Sequence, residues 1–126
     1  KTFTTLLFII LSNHLIHAKH LHKESWYQNR VAEKWGARTE VKVANGRVDI
    51  LGKNYATEVE FAEKWKEAIG QALWYAMQTN KQPGIVLICE TPADYLHAIR
   101  LRSVIKHSNL NIKVWLYHEL IPNQKT

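Results

Sequence analysis

Residues 47–75 read RVDILGKNYATEVEFAEKWKEAIGQALWY. The order strand, tight turn, strand, helix in this stretch decides how the rest of the chain is read. A turn centred on Lys53 and Asn54, next to Gly52, predicts an antiparallel pair in which opposed residue numbers sum to about 107. Asp49 then faces Glu58. Side chains alternate along a strand, so Glu60 shares the face of Glu58, while Val48, Ile50, Val59 and Phe61 point the other way. One face is apolar and the other gathers acid. Like charges opposed across a sheet repel, and a hard cation such as Mg²⁺ or Mn²⁺ is the usual means of holding them together.

Upstream, Thr39–Ala44 alternates as a strand, and Asn45-Gly46 is a strong hairpin signal. A turn there predicts that Lys42 faces Asp49, so that Lys42, Asp49 and Glu58 form one row of a three-stranded meander. Glu40 stands beside that row, and Arg47 lies next to Glu60. Glu24–Trp35 repeats Tyr27, Val31 and Trp35 at intervals of four and meets Gly36, which predicts a helix covering the sheet and ending at the glycine. Glu24 and Gln28 lie one turn apart on it and read as solvated surface. His20 and His22 read as part of a polar terminus without a role.

Downstream, residues 63–78 have helical spacing. Trp65, Ile69, Ala72, Leu73 and Ala76 form the expected buried stripe, and Lys64, Gln71, Tyr75 and Gln78 line a neighbouring one. The start of this helix and Lys64 fall at the edge of the acidic face, a place suited to a phosphate. Lys64 pairing with Glu60 or Glu67, and Tyr75 as an amphipathic core residue, are the plainer alternatives. Ile85–Cys89 is a continuous apolar run of the kind found in a central strand buried on both faces. Thr91, Pro92 and Asp94 signal the start of a helix reaching His107, with Leu96, Ile99 and Val104 inward and Arg100, Arg102, Lys106 and His107 outward. Ile112–His118 alternates as a last strand, and the tail from Pro122 reads as loose.

With 126 residues, 46% hydrophobic and 22% charged, the chain has room for one domain and no second. Thr2–Ala18, TFTTLLFIILSNHLIHA, follows a lone lysine and ends in Ile16-His17-Ala18, which resembles a signal-peptidase site. A signal peptide over residues 1–18, export to a periplasm or the outside, and a single domain over 19–126 are the expectation. A retained anchor is the alternative; the apolar run, broken by Ser12, Asn13 and His14, falls short of a span of about 20 residues. No stable membrane insertion is expected once the signal is gone. The formal charge is +6, and the mature part keeps 16 basic against 11 acidic residues. That surplus favours a polyanionic partner, although many exported domains are basic as well. A single cysteine, Cys89, excludes an internal disulfide, so stability must rest on the core.

Asp49, eight intervening positions and Glu58-Val59-Glu60 before a helix resemble the core of the PD-(D/E)XK nuclease superfamily, and Gln71 to Tyr75 resembles its RecB-like QxxxY helix. The resemblance spans Glu24 to about Glu90. It implies an α/β, restriction-endonuclease-like fold: an αβββαβ core with a mixed central sheet, followed by a further helix and strand. It implies a Mg²⁺- or Mn²⁺-dependent nuclease acting on nucleic acid, with DNA foremost, and Asp49 and Glu58 as metal ligands beside the Val59 carbonyl. Glu60 stands where the family pattern ends in lysine. By the same likeness Glu60 becomes a further ligand or the general base, Lys64 supplies the displaced positive charge, and Gln71 orients the attacking water. Lys42 and Tyr75 become substrate-binding residues. The other readings are a catalytically inactive nucleic-acid-binding or interaction domain of the same fold, and a purely structural exported domain.

Overall fold

The computed structural model describes residues 20–122, so the stretch read as a signal peptide and the last four residues lie outside the described part. Helix α1 (Glu24–Trp35) leads into strands β1 (Arg38–Val43), β2 (Gly46–Leu51) and β3 (Tyr55–Phe61). A 3-10 turn (Ala62–Lys64) then opens helix α2 (Trp65–Thr79). Strand β4 (Gln82–Ile88), helix α3 (Asp94–His107), strand β5 (Lys113–Leu116) and a short helix α4 (Tyr117–Leu120) complete it. The sheet runs β1-β2-β3-β4-β5; its first three strands form an antiparallel meander, and β3, β4 and β5 are parallel. This is the expected α/β arrangement, αβββαβ with a mixed sheet and a further helix and strand. Among the described residues no helix is long and apolar enough to cross a membrane.

Strand β4 carries the core. Residues 84–89 are all buried, and alternate side chains serve the two faces. Ile85 and Leu87 pack with Trp65, Ala68 and Ala72 of α2 and Leu101 of α3. Val86 and Ile88 pack with Tyr27 and Val31 of α1, together with Val59 and Phe61. Helices therefore cover both faces of the parallel half, which is why its central strand is apolar throughout. Gly36 ends α1 as expected, in the left-handed conformation (φ 61°), its N–H directed at the carbonyls of Ala32 and Glu33.

Several details depart from the sequence reading. The last strand, expected over Ile112–His118, is Lys113–Leu116, and Tyr117 and His118 belong to the short closing helix. The β1–β2 register pairs Val43 with Gly46 and Lys42 with Arg47, so the turn lies at Ala44-Asn45, one residue earlier than the Asn-Gly signal placed it. Gly46 belongs to the strand at φ 130°, packed so closely that a Cβ there would overlap the Tyr75 hydroxyl. The slip moves Lys42 away from Asp49, and the expected single apolar face is divided: Val41, Val43 and Val48 pack with Leu51 and Ala56, whereas Ile50 packs with Val59 and Phe61 beneath α1. On α2, Ala68 joins the buried stripe and Leu73 is exposed. On α3, Ala98 and Leu101 are buried, while Leu96, Ile99 and Val104, expected inward, are exposed. The helix touches the core along one narrow stripe, and apolar residues off that line stay in solvent. Nor does Thr91 cap this helix: the Asp94 carboxylate reaches back and accepts the N–H groups of Glu90 and Thr91 at 2.8 and 3.1 Å.

Candidate functional site

The β2–β3 register is the expected one, with Ile50 opposite Thr57 and Leu51 opposite Ala56. One step further the ladder changes character: Asp49 turns its carboxylate across the gap and accepts the Val59 N–H at 2.8 Å. Glu58 is only 3% exposed. Burial first, then the charge of Asp49 and a hydrogen bond to it, push the Glu58 carboxyl up to about 9. Glu58 therefore holds a proton at neutral pH and donates it to Asp49, whose own carboxyl burial also raises.

A second acid pair adjoins the first. Burial, then the charges of Glu60 and Asp49, raise Glu24 to about 8, and its carboxyl hydrogen-bonds Glu60. Burial raises Glu60 too, against the opposing charge of Lys64. Gln28 is buried beside them; its amide donates to Glu40 Oε1 at 2.9 Å and to the Asp49 carbonyl at 3.2 Å. Glu58 Oε1 and Glu60 Oε2 remain buried without a hydrogen-bond partner, an arrangement with room for more charge neutralisation than two shared protons supply.

Asp49, Glu58, Glu60 and Lys64 thus come together as the spacing predicted. Lys42 does not: it stands exposed opposite Arg47. Tyr75 packs with Val48, Leu51 and Ala56 under the first hairpin, and Gln71 is exposed two turns beyond Lys64. Glu24 and Gln28, read as solvated surface, are part of the cluster. Their signal was the polar pair one turn apart on a helix whose apolar repeat also faces the sheet.

The terminal histidine was misread as well. The His20 ring stacks on Phe61 with centroids 3.6 Å apart, while its two nitrogens lie 2.6 Å from Glu90 Oε1 and 2.8 Å from Glu63 Oε1. Glu90 Oε2 accepts the Tyr27 hydroxyl at 2.6 Å and the Leu21 N–H at 2.8 Å. Burial pushes the Glu90 carboxyl up, but the bonds from Tyr27, His20 and Leu21 outweigh it and leave it below the usual range. The segment entering α1 is therefore anchored to the end of β4.

Three proteins of Acanthamoeba polyphaga mimivirus, each described as KilA-N domain-containing, are similar to this chain. One is 36% identical over 61 residues, covering 48% of the chain and 17% of the relative. Another is 26% identical over 93 residues, covering 74% and 37%. A third is 34% identical over 85 residues, covering 60% and 23%. The chain spans less than two fifths of the length of these relatives. No family model matches, and no solved structure does.

These findings overturn the nuclease reading. Relatives described by a KilA-N domain stand where the PD-(D/E)XK resemblance implied nucleases. Among the described residues no group of three or more His, Cys, Asp or Glu side chains is arranged to hold a metal ion. The acids meet as two hydrogen-bonded pairs, Asp49 with Glu58 and Glu24 with Glu60. Strand order and a short acidic motif recur across unrelated chemistries, which is why the likeness misled.

Proposed function

We propose that this chain is a nucleic-acid-binding domain, with DNA as its partner, and that it leaves the strand it binds intact. The similarity to the viral proteins described as KilA-N domain-containing carries the reading. The charge of +6 supports it. So does the first hairpin, where Lys42 and Arg47 stand directly opposite each other and exposed. Such a pair costs stability on its own and is relieved when an anion lies across it. Arg102 and Lys106, one turn apart and exposed, add a basic patch on α3.

The acid cluster is compatible with this role because its shared protons mask negative charge that would repel phosphate. In this reading Mg²⁺ or Mn²⁺ would take the place of the proton between Asp49 and Glu58, and the unpartnered Glu58 Oε1 is the atom that supports the exchange. A cation held there would supply counter-charge, and Lys64, exposed beside Glu60, would meet a phosphate at the same edge.

Charge reversal tests the interface. Lys42→Glu with Arg47→Glu is expected to weaken duplex DNA binding at least about tenfold and to lower the salt dependence by roughly one to two phosphate contacts. Fluorescence anisotropy measures both. An unchanged affinity and salt slope would remove the hairpin from the interface.

A further inference from the structure

Near the C-terminal end of α1 lies a cavity of about 320 Å³ that the carboxylate site does not use. It is walled by Trp35 and Ala37 at the end of α1, Ile50 of β2, the Gly52–Tyr55 turn, Thr57 of β3 and Trp115 of β5. Trp115 stands between the other two rings, 4.9 Å from Trp35 and tilted by 59°, and 5.1 Å from Tyr55 and nearly perpendicular at 81°. Gly84 makes this possible. A Cβ there would come within 2.8 Å of the Trp115 ring and 2.7 Å of Thr57 Oγ1, so only glycine leaves room for both.

The wall also contains a polar group in need of a partner. Thr57 is 1% exposed and its hydroxyl makes no hydrogen bond, an arrangement that costs free energy wherever it persists. The rim is cationic: Lys53 is exposed there, the Lys81 ammonium donates to the Lys53 carbonyl at 2.7 Å, and the Lys113 ammonium lies 5.9 Å from the Trp115 ring.

We propose that this cavity takes one unpaired nucleobase, stacked on the aromatic wall, hydrogen-bonded to Thr57 and followed by a backbone phosphate at Lys53. The inference rests on the nucleic-acid-binding reading and adds to it a preference for single-stranded segments. A fatty chain would leave the Thr57 hydroxyl unsatisfied, and an aromatic peptide side chain would bring no anion to the lysines. A base brings a flat ring, polar edges and a phosphate together. Bases inside a duplex are paired and stacked and cannot enter without being flipped out.

The test titrates the full chain with a single-stranded oligonucleotide and with an abasic strand of equal length and charge, following indole fluorescence and affinity. The base-bearing strand is expected to quench fluorescence and to bind about 5- to 100-fold more tightly than the abasic one, the range of one stacked base. Tyr55→Ala should erase most of that difference. Thr57→Val should weaken the base-bearing strand about three- to tenfold while raising the melting temperature, because it removes an unsatisfied buried hydroxyl; a merely misfolded variant cannot do both. Equal, salt-sensitive binding of the two strands would overturn the cavity proposal and leave the nucleic-acid reading standing. Binding of neither strand, nor of duplex DNA, would overturn both.

Discussion

A carboxyl group that keeps its proton at neutral pH changes what its neighbours can do, and Glu58 is such a group. Its folded pKa of about 9 and that of Glu24, about 8, lie above their ordinary value of 4.5. The folded chain thus binds protons that the unfolded chain releases, and this stabilisation is complete below 4.5 and fades as pH rises through the folded values. Glu90 works in the opposite direction, since its pKa is lowered and its contribution is lost as pH falls. Stability is therefore expected to peak near about pH 5 and to decline toward about pH 9. Calorimetric melting across that range checks it. Glu58→Gln, which keeps a donor for Asp49 without a titrating proton, should flatten the alkaline decline; a decline of unchanged steepness would show that the protons sit elsewhere. At this scale the sequence located Asp49, Glu58 and Glu60 because a two-fold alternation leaves no other choice. It could not locate Glu24 and Gln28, because helical spacing fixes a stripe but not which neighbouring strand the polar edge of that stripe meets.

Between the elements, one glycine shows why the two hairpins were unequally legible. The second hairpin was readable because Gly52 and Lys53-Asn54 leave a single tight turn between two apolar runs. In the first, Asn45-Gly46 is a good turn dipeptide, yet Gly46 is needed inside the strand to clear Tyr75. Tertiary packing from a helix 29 residues away in sequence overrode the local signal. Gly46→Ala combines a strained φ of 130° with that overlap and is expected to cost about 2–4 kcal/mol. Tyr75→Phe in the same chain should recover part of the loss, and a double-mutant cycle of melting curves reads the coupling. No recovery would mean that strain alone sets the cost. The stripe of α3 is decided in the same way. Truncating buried Leu101 to alanine should cost about 2–5 kcal/mol, whereas exposed Ile99→Ala should stay within about 0.5 kcal/mol. The reverse order would restore the inward stripe that periodicity implied.

For the molecule as a whole, two places on one sheet carry different chemistry. The meander, the start of α1 and the start of α2 gather acids that share protons, and the far end of α1 borders an aromatic cavity with lysines at its rim. The fold order was legible as far as the last strand, because a meander, a fully apolar strand and two flanking helices admit few arrangements; the closing helix Tyr117–Leu120 was read as strand and tail. Function was not legible, since the same order serves hydrolysis and plain binding alike. The most direct measurement is a salt titration of the full chain on labelled duplex and single-stranded DNA in Mg²⁺, with the DNA recovered and sized afterwards. Affinity is expected to fall linearly with salt on logarithmic axes, with a slope set by the phosphates neutralised, and the recovered DNA to be full length. Salt-insensitive or absent binding, or shortened DNA that is spared when Asp49 is replaced by alanine, would contradict it.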